Sequence, residues 1–169
     1  MPSAEVGPPG GPAIRIRAAT AADVPALLGF IRELANYERL AEQVLASEAD
    51  LQAALFGPRR AAEAVLADLG ESLAGYALFF QSYSTFLGRP GIYLEDLFVR
   101  PGCRRRGVGR ALFGHVARLA VERGCGRFEW SVLDWNAPAI SFYRSLGALP
   151  LADWTVFRLS GEALVSAGR

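Results

Sequence analysis

Residues 100–112 read Arg-Pro-Gly-Cys-Arg-Arg-Arg-Gly-Val-Gly-Arg-Ala-Leu, five arginines interleaved with three glycines where an apolar helical pattern begins. Like charges repel and glycine weakens a helix, so local stability does not select this string. Glycines between a strand and a helix start let successive backbone N–H groups converge on an anion, because no Cβ stands in the way and the first-turn amides lack partners. Forked arginine side chains add charge-assisted hydrogen bonds, so a pyrophosphate fits better than a lone carboxylate. A solvated basic turn capping a helix is the plainer alternative for this string alone. Just upstream, "IYLEDLFV" sets Glu95 and Asp96 in an apolar and aromatic run. Such carboxylates can take a proton or attract a cation, where the plainer alternative is a surface acid pair on an edge strand. In a regular strand the two point to opposite faces, and a bulge would turn both into one site.

The elements that position these groups follow from periodicity. "AIRIR" alternates as a half-buried strand, and Thr20 with Asp23 forms a capping-box-like start for a helix carrying Val24, Leu27, Leu28, Ile31 and Leu34. "SEAD" at Ser47 opens a second helix, closed by Gly57-Pro58. "AEAVLADL" and "LAGYALFFQSY", separated by Gly-Glu-Ser, predict an antiparallel hairpin. "TFLGRPG" is expected as a loop and "IYLEDLFV" as the next strand. The arginine-glycine turn leads into a helix with Val108, Leu112, Val116 and Leu119 on one face, followed by a strand over "RFEWSVLDW". "NAPAISFYRSLG" predicts a short helix capped by Asn136, and "WTVFRLS" a last strand. The expectation is one mixed α/β domain over 13–169 after a disordered tail over 1–12.

Composition bounds the function. Eighteen Lys+Arg against 17 Asp+Glu leave a formal net charge of +1, which argues against a nucleic-acid-binding module. Two cysteines, Cys103 and Cys125, and the single His115 supply no disulfide framework and no metal set. No run approaches a membrane span and the first residues lack signal-peptide features, so a reducing cytoplasm is the expected setting. The fingerprints G-x-G-x-x-G and G-x-x-x-x-G-K-[ST] are both absent, which sets aside a nicotinamide cofactor and ATP.

Arg104, Gly107 and Gly109 match the [QR]-x-x-G-x-[GA] signature of the GNAT superfamily of N-acetyltransferases. Over residues 14–160 the blocks "RAATAADVPALLGFIRELANYE", "YLEDLFV", "RRRGVG", "VLDWN" and "SFYRSLGA" resemble the spermidine/spermine N-acetyltransferase family, including its diamine- and thialysine-acetylating branch. The resemblance implies the GNAT fold, a mixed central β-sheet flanked by helices, with two parallel strands splayed around acetyl-CoA. It implies that the backbone of Phe98 and Val99 meets the pantetheine arm, and that Arg104, Arg105, Arg106, Gly107, Val108, Gly109 and Arg110 cradle the pyrophosphate. Asn136 matches an asparagine that bonds the cofactor arm, and Tyr143 the general acid that protonates the leaving thiolate. Glu95 matches the glutamate that relieves the amine of its proton. Tyr37 and Glu38 match a substrate-side pair, Asp96 adds a second carboxylate, and Trp154 matches an aromatic residue lining the amine pocket. The resemblance further implies direct transfer without an acyl-enzyme, no metal, and a homodimer.

Two departures bear on the substrate. Polyamine-acetylating members carry an acid in the loop before the "YLED" strand, where this chain has Ser84 and Thr85 with Arg89 nearby. The family's glutamate before the tryptophan has no clear match, with Asp153 as a substitute. Both changes point from a polyamine towards a short diamine or an amino-acid-like amine such as thialysine or lysine, whose carboxylate Arg89 could meet. Acetylation of a peptide or protein amine, and a non-catalytic acetyl-CoA or polyamine sensor, are the alternatives.

Overall fold

The computed structural model describes residues 4–6 and 12–169. The chain forms two compact units, one ending at Ser131 and one running from Val132 to Arg169.

The larger unit is built on six strands that neighbour one another in chain order: β1 (Ala4–Val6), β2 (Ile14–Ala18), β3 (Glu63–Leu69), β4 (Ser72–Ser84), β5 (Arg89–Val99) and β6 (Arg127–Trp130). The first five pair antiparallel, and β5 with β6 parallel. Part of the segment expected as a disordered tail therefore forms a strand, β1, and residues 1–3 and 7–11 lie outside the described residues. The β5–β6 ladder ends at Leu94 opposite Trp130, while β5 runs on to Val99, so the parallel strands part midway, as expected of the family's sheet.

Helix α1 (Val24–Glu38) starts where the Thr20–Asp23 pattern predicts. The Asp23 carboxylate accepts from the Thr20 N–H at 2.8 Å and hydroxyl at 2.7 Å, and from both terminal nitrogens of Arg17 at 2.8 Å. Arg17 first, then Thr20, hold this carboxyl well below the usual carboxylate range. Helix α2 (Glu48–Phe56) begins on Ser47, whose hydroxyl and amide donate to Asp50. Together α1 and α2 cover one face of the sheet with a core of Leu27, Phe30, Leu51, Leu55, Leu66, Tyr76, Leu78 and Phe98. Phe30 stacks on Tyr76 with ring centroids 5.5 Å apart. Helix α3 (Val108–Glu122) packs against β2 to β5 and buries Val108, Leu112, Val116 and Leu119, the stripe its spacing predicts.

Two irregularities shape β5. Its pairing with β4 slips between Leu78 and Phe79, so Leu94 faces Phe79, Asp96 faces Leu78, and Glu95 is the extra residue. Directly opposed residues of an antiparallel pair share a face, and Leu78 and Phe79 are on opposite faces. Leu94 and Asp96, two residues apart, therefore point to opposite sides of the sheet. Further along, a side chain at Gly75 would collide with the Phe98 carbonyl, so only glycine lets β4 approach the end of β5 this closely.

Three expectations differ at element ends. β5 begins at Arg89 within the expected loop, because Arg89, Pro90 and Gly91 pair with Ser84, Tyr83 and Ser82, and proline is tolerated at the start of a strand. β6 stops at Trp130, short of the expected Trp135. In the smaller unit α4 (Ala137–Ser145) follows the expected Asn136 cap, but residues 154–160 form no ladder among the described residues, and an unexpected helix α5 (Gly161–Ala167) follows. Alternation supplies a strand pattern, but a strand exists only with a partner.

Gly75→Ala is expected to lower unfolding free energy by about 1–3 kcal/mol, since the backbone of β5 must give way. Gly29→Ala, inside α1 with open space at its Cβ, is expected to raise it by about 0.5–1 kcal/mol. Urea unfolding of both variants checks the pair, and equal effects would contradict the close packing at Gly75.

Candidate active site

The bulge turns Asp96 onto the face shared by Tyr76 and Phe98 and leaves Glu95 exposed at the surface of the same turn. The Tyr76 hydroxyl, on a fully buried side chain, donates to Asp96 Oδ2 at 2.8 Å. Burial, with the negative charges of Glu95 and Glu38, pushes the Asp96 carboxyl up to about 6 against the opposing pull of the Tyr76 bond. Burial and the neighbouring Asp96 charge raise the Tyr76 phenol, which stays protonated and donating. Glu38, half-buried at the end of α1, is raised by burial. The charges of Glu38 and Glu95 thus both reach Asp96 and the phenol that holds it, a residue that sequence reasoning did not single out. Its signal was a tyrosine in the apolar run "LAGYALFF", because a buried phenol needs a hydrogen-bond partner.

β5 then leads directly into the arginine-glycine turn, and the arginines divide by role. Arg100 binds Glu33 of α1 at 2.8 Å, lies 4.4 Å over the Phe30 ring and donates to the Leu73 carbonyl. Arg104 donates to the Val99 carbonyl at 2.9 Å and lies 4.6 Å over the Tyr37 ring. Both side chains brace the turn against β5 and α1, so the charge expected from Arg104 is directed inward and the Val99 carbonyl is already engaged. Arg105, Arg106 and Arg110 are exposed and form no ion pair among the described residues.

At the helix start Gly107 adopts φ 89°, a conformation that favours glycine, and the first helical bond runs from the Ala111 N–H to the Gly107 carbonyl at 2.9 Å. The amides of Val108, Gly109 and Arg110 therefore precede the helical ladder and face outward at the positive end of the helix dipole. Three cations with no ion pair among the described residues, around such amides, fit a pyrophosphate group.

Ser84 is buried at the β4–β5 turn, where its hydroxyl accepts from the Leu87 N–H at 3.2 Å, a structural use in place of a substrate contact. Arg89 opens β5 six residues before Glu95, about 20 Å along the strand at ~3.3 Å per residue, so within one chain it does not meet an amino acid held at the bulge. Asn136, Tyr143 and Trp154 belong to the smaller unit. There the Asn136 Oδ1 accepts from the Ala139 N–H at 3.3 Å, capping α4, the Tyr143 ring lies 5.3 Å from that of Phe142, and Trp154 is exposed.

The pattern of a family described as "Acetyltransferase (GNAT) family" matches residues 30–148. The chain is 40% identical to the thialysine N-epsilon-acetyltransferase of Sus scrofa, over 89% of this chain and 95% of that one. It is 34% identical to the L-ornithine N5-acetyltransferase of Arabidopsis thaliana, over 89% and 86%. An integron cassette protein from the mobile metagenome of V. cholerae superposes with a TM-score of 0.77 at 26% identity, covering 92% of this chain and 98% of that one.

Valine at position 107 would be strained at φ 89° and would bring its side chain towards Ile14 Cδ1. Gly107→Val is expected to weaken coenzyme A binding roughly tenfold or more by calorimetry while the protein still unfolds cooperatively. Undiminished affinity in a folded variant would place the phosphates elsewhere.

Proposed function

From the premise that the chain belongs to the acetyltransferase (GNAT) family and is an N-acetyltransferase, we propose that it acetylates the primary amine of a small amino-acid-like substrate of the thialysine, lysine or ornithine type. The observation that carries this reading is the gathering of Glu38, Glu95 and Asp96 around the β5 bulge, immediately upstream of the anion-binding turn. Acetyl-CoA, when bound, supplies an activated thioester. The backbone amides of Val108, Gly109 and Arg110, with Arg105, Arg106 and Arg110, hold its pyrophosphate, and the backbone of β5 at Phe98 and Val99 runs beside the arm that leads to the reacting end, the Val99 carbonyl staying with Arg104.

An ammonium has no lone pair to attack with, so the chain must both attract the cation and remove its proton. Exposed Glu95 meets the charge, and one carboxylate of the Glu95–Asp96 pair accepts the proton; Tyr37, Glu38 and Trp154 complete the amine side. Tyr143 Oη gives a proton to the departing sulfur, and Asn136 steadies the cofactor arm. Short amines are preferred to polyamines, because the hydroxyl standing where a second acid would be, that of Ser84, is spent on the hairpin turn. The reading includes a homodimer in the cytoplasm.

Thiol release from acetyl-CoA is the test, with thialysine, lysine, ornithine, putrescine, spermidine and a peptide library as acceptors. Amino-acid amines are expected to turn over with the highest kcat/KM and spermidine poorly. Turnover confined to peptides, or none at all despite acetyl-CoA binding, would contradict the reading. Tyr143→Phe is expected to lower kcat by roughly 10²–10⁴ with acetyl-CoA affinity preserved. Unchanged kcat would remove Tyr143 from the chemistry.

A further inference from the structure

Tyr76 is fully buried in the core beneath α1, and its neighbours there are apolar: Phe30 stacked on its ring, Leu78 and Phe98. A phenylalanine would fill this volume and leave no phenol to satisfy. The hydroxyl instead reaches across to β5 and holds one oxygen of a half-buried carboxylate, and only the bulge at Glu95 brings that carboxylate to this face. A polar pair inserted between two packed strands needs a reason beyond stability.

We infer that Asp96, and not the exposed Glu95, is the carboxylate that takes the proton from the substrate amine, with Tyr76 as the positioning residue that holds it. The inference rests on the acetyltransferase reading above. In the step, an N–H bond of the ammonium breaks, its electron pair stays on nitrogen, and an O–H bond forms at Asp96 Oδ1, since Oδ2 accepts from Tyr76. The neutral amine then attacks, and the proton leaves Asp96 towards solvent past Glu95. Glu95 draws the cation to the bulge.

The groups facing Asp96 explain why it suits this task. Glu38 from α1 and Glu95 on its own strand are like charges that raise its proton affinity, and Tyr76 from β4 is a donor that lowers it. Arg104, the cation on this side of the turn, is occupied by the Val99 carbonyl and the Tyr37 ring. With its carboxyl pushed up to about 6, Asp96 is still ionised at neutral pH yet binds a proton more firmly than an unperturbed aspartate. The form that accepts the proton is the ionised one, so activity is lost as pH falls through that value.

The experiment is the pH profile of kcat/KM for the best amine in wild type, Asp96→Asn, Tyr76→Phe and Glu95→Gln. Wild type is expected to show an acidic limb near 6. Asp96→Asn should abolish this limb and lower kcat/KM by roughly 10²–10³. Tyr76→Phe removes a bond to the ionised form and should move the limb to higher pH by roughly half a unit or more. Glu95→Gln removes a like charge and should move it the opposite way, with a higher KM for the amine. If Asp96→Asn does not fold, the opposite shifts of the other two variants decide the matter, and a 13C-carboxyl titration of Asp96 in the amine-free protein must show the same two directions. Loss of the limb in Glu95→Gln, with Asp96→Asn active and merely shifted, would overturn the assignment. Absence of turnover with every amine would instead overturn the functional reading and the acceptor role with it, so the two failures are told apart.

Discussion

One extra residue in β5 organises the site. Without Glu95 as the unpaired member of the β4–β5 ladder, residues 92, 94, 96 and 98 would all lie on one face, and Asp96 would follow Leu94 away from Tyr76. With it, Leu94 packs on one side of the sheet while Asp96 and Phe98 join α1 on the other. The strand thereby keeps a continuous apolar character through two faces and still presents two carboxylates at its kink. The pairing of this strand with β6 has ended by the point where the acids stand.

The second constraint is electrostatic. A turn that carries five arginines would be loosened by their mutual repulsion if all of them faced outward together. Arg100 and Arg104 answer this by turning inward, one to Glu33 and Phe30, the other to the Val99 carbonyl and Tyr37. They fix the turn to β5 and α1, and Arg105, Arg106 and Arg110 are left exposed. The fixing also ties the turn to the end of α1, since the ring under Arg104 belongs to the residue next to Glu38.

Much of this was legible in the sequence where the determinant is local. The capping pairs at Thr20 and Ser47, the apolar stripe of α3 and the glycine at its start each depend on a few neighbouring residues, and each is found where spacing puts it. The acids and the turn were legible as chemistry for the same reason. The bulge was foreseen only as an option, because apolar residues at 92, 94 and 98 read as an unbroken alternation whether or not a residue is inserted. The bond from Tyr76 to Asp96 joins residues twenty apart and depends on that register. Which arginines turn inward depends on where α1 lies, and "RPG" reads as a turn although pairing with β4 extends it. The strand expected over 154–160 failed for the converse reason: local alternation was present, and a pairing partner among the described residues was not.

The most direct test of the account is a crystal structure of the protein with coenzyme A and the best acceptor amine. The account requires the pyrophosphate oxygens within hydrogen-bond reach of the amides of Val108, Gly109 and Arg110, the sulfur beside the open edge of β5, and the amine nitrogen facing the carboxylates at the bulge. A pyrophosphate bound away from the start of α3, or an amine held on the side of the sheet away from Asp96, would contradict it.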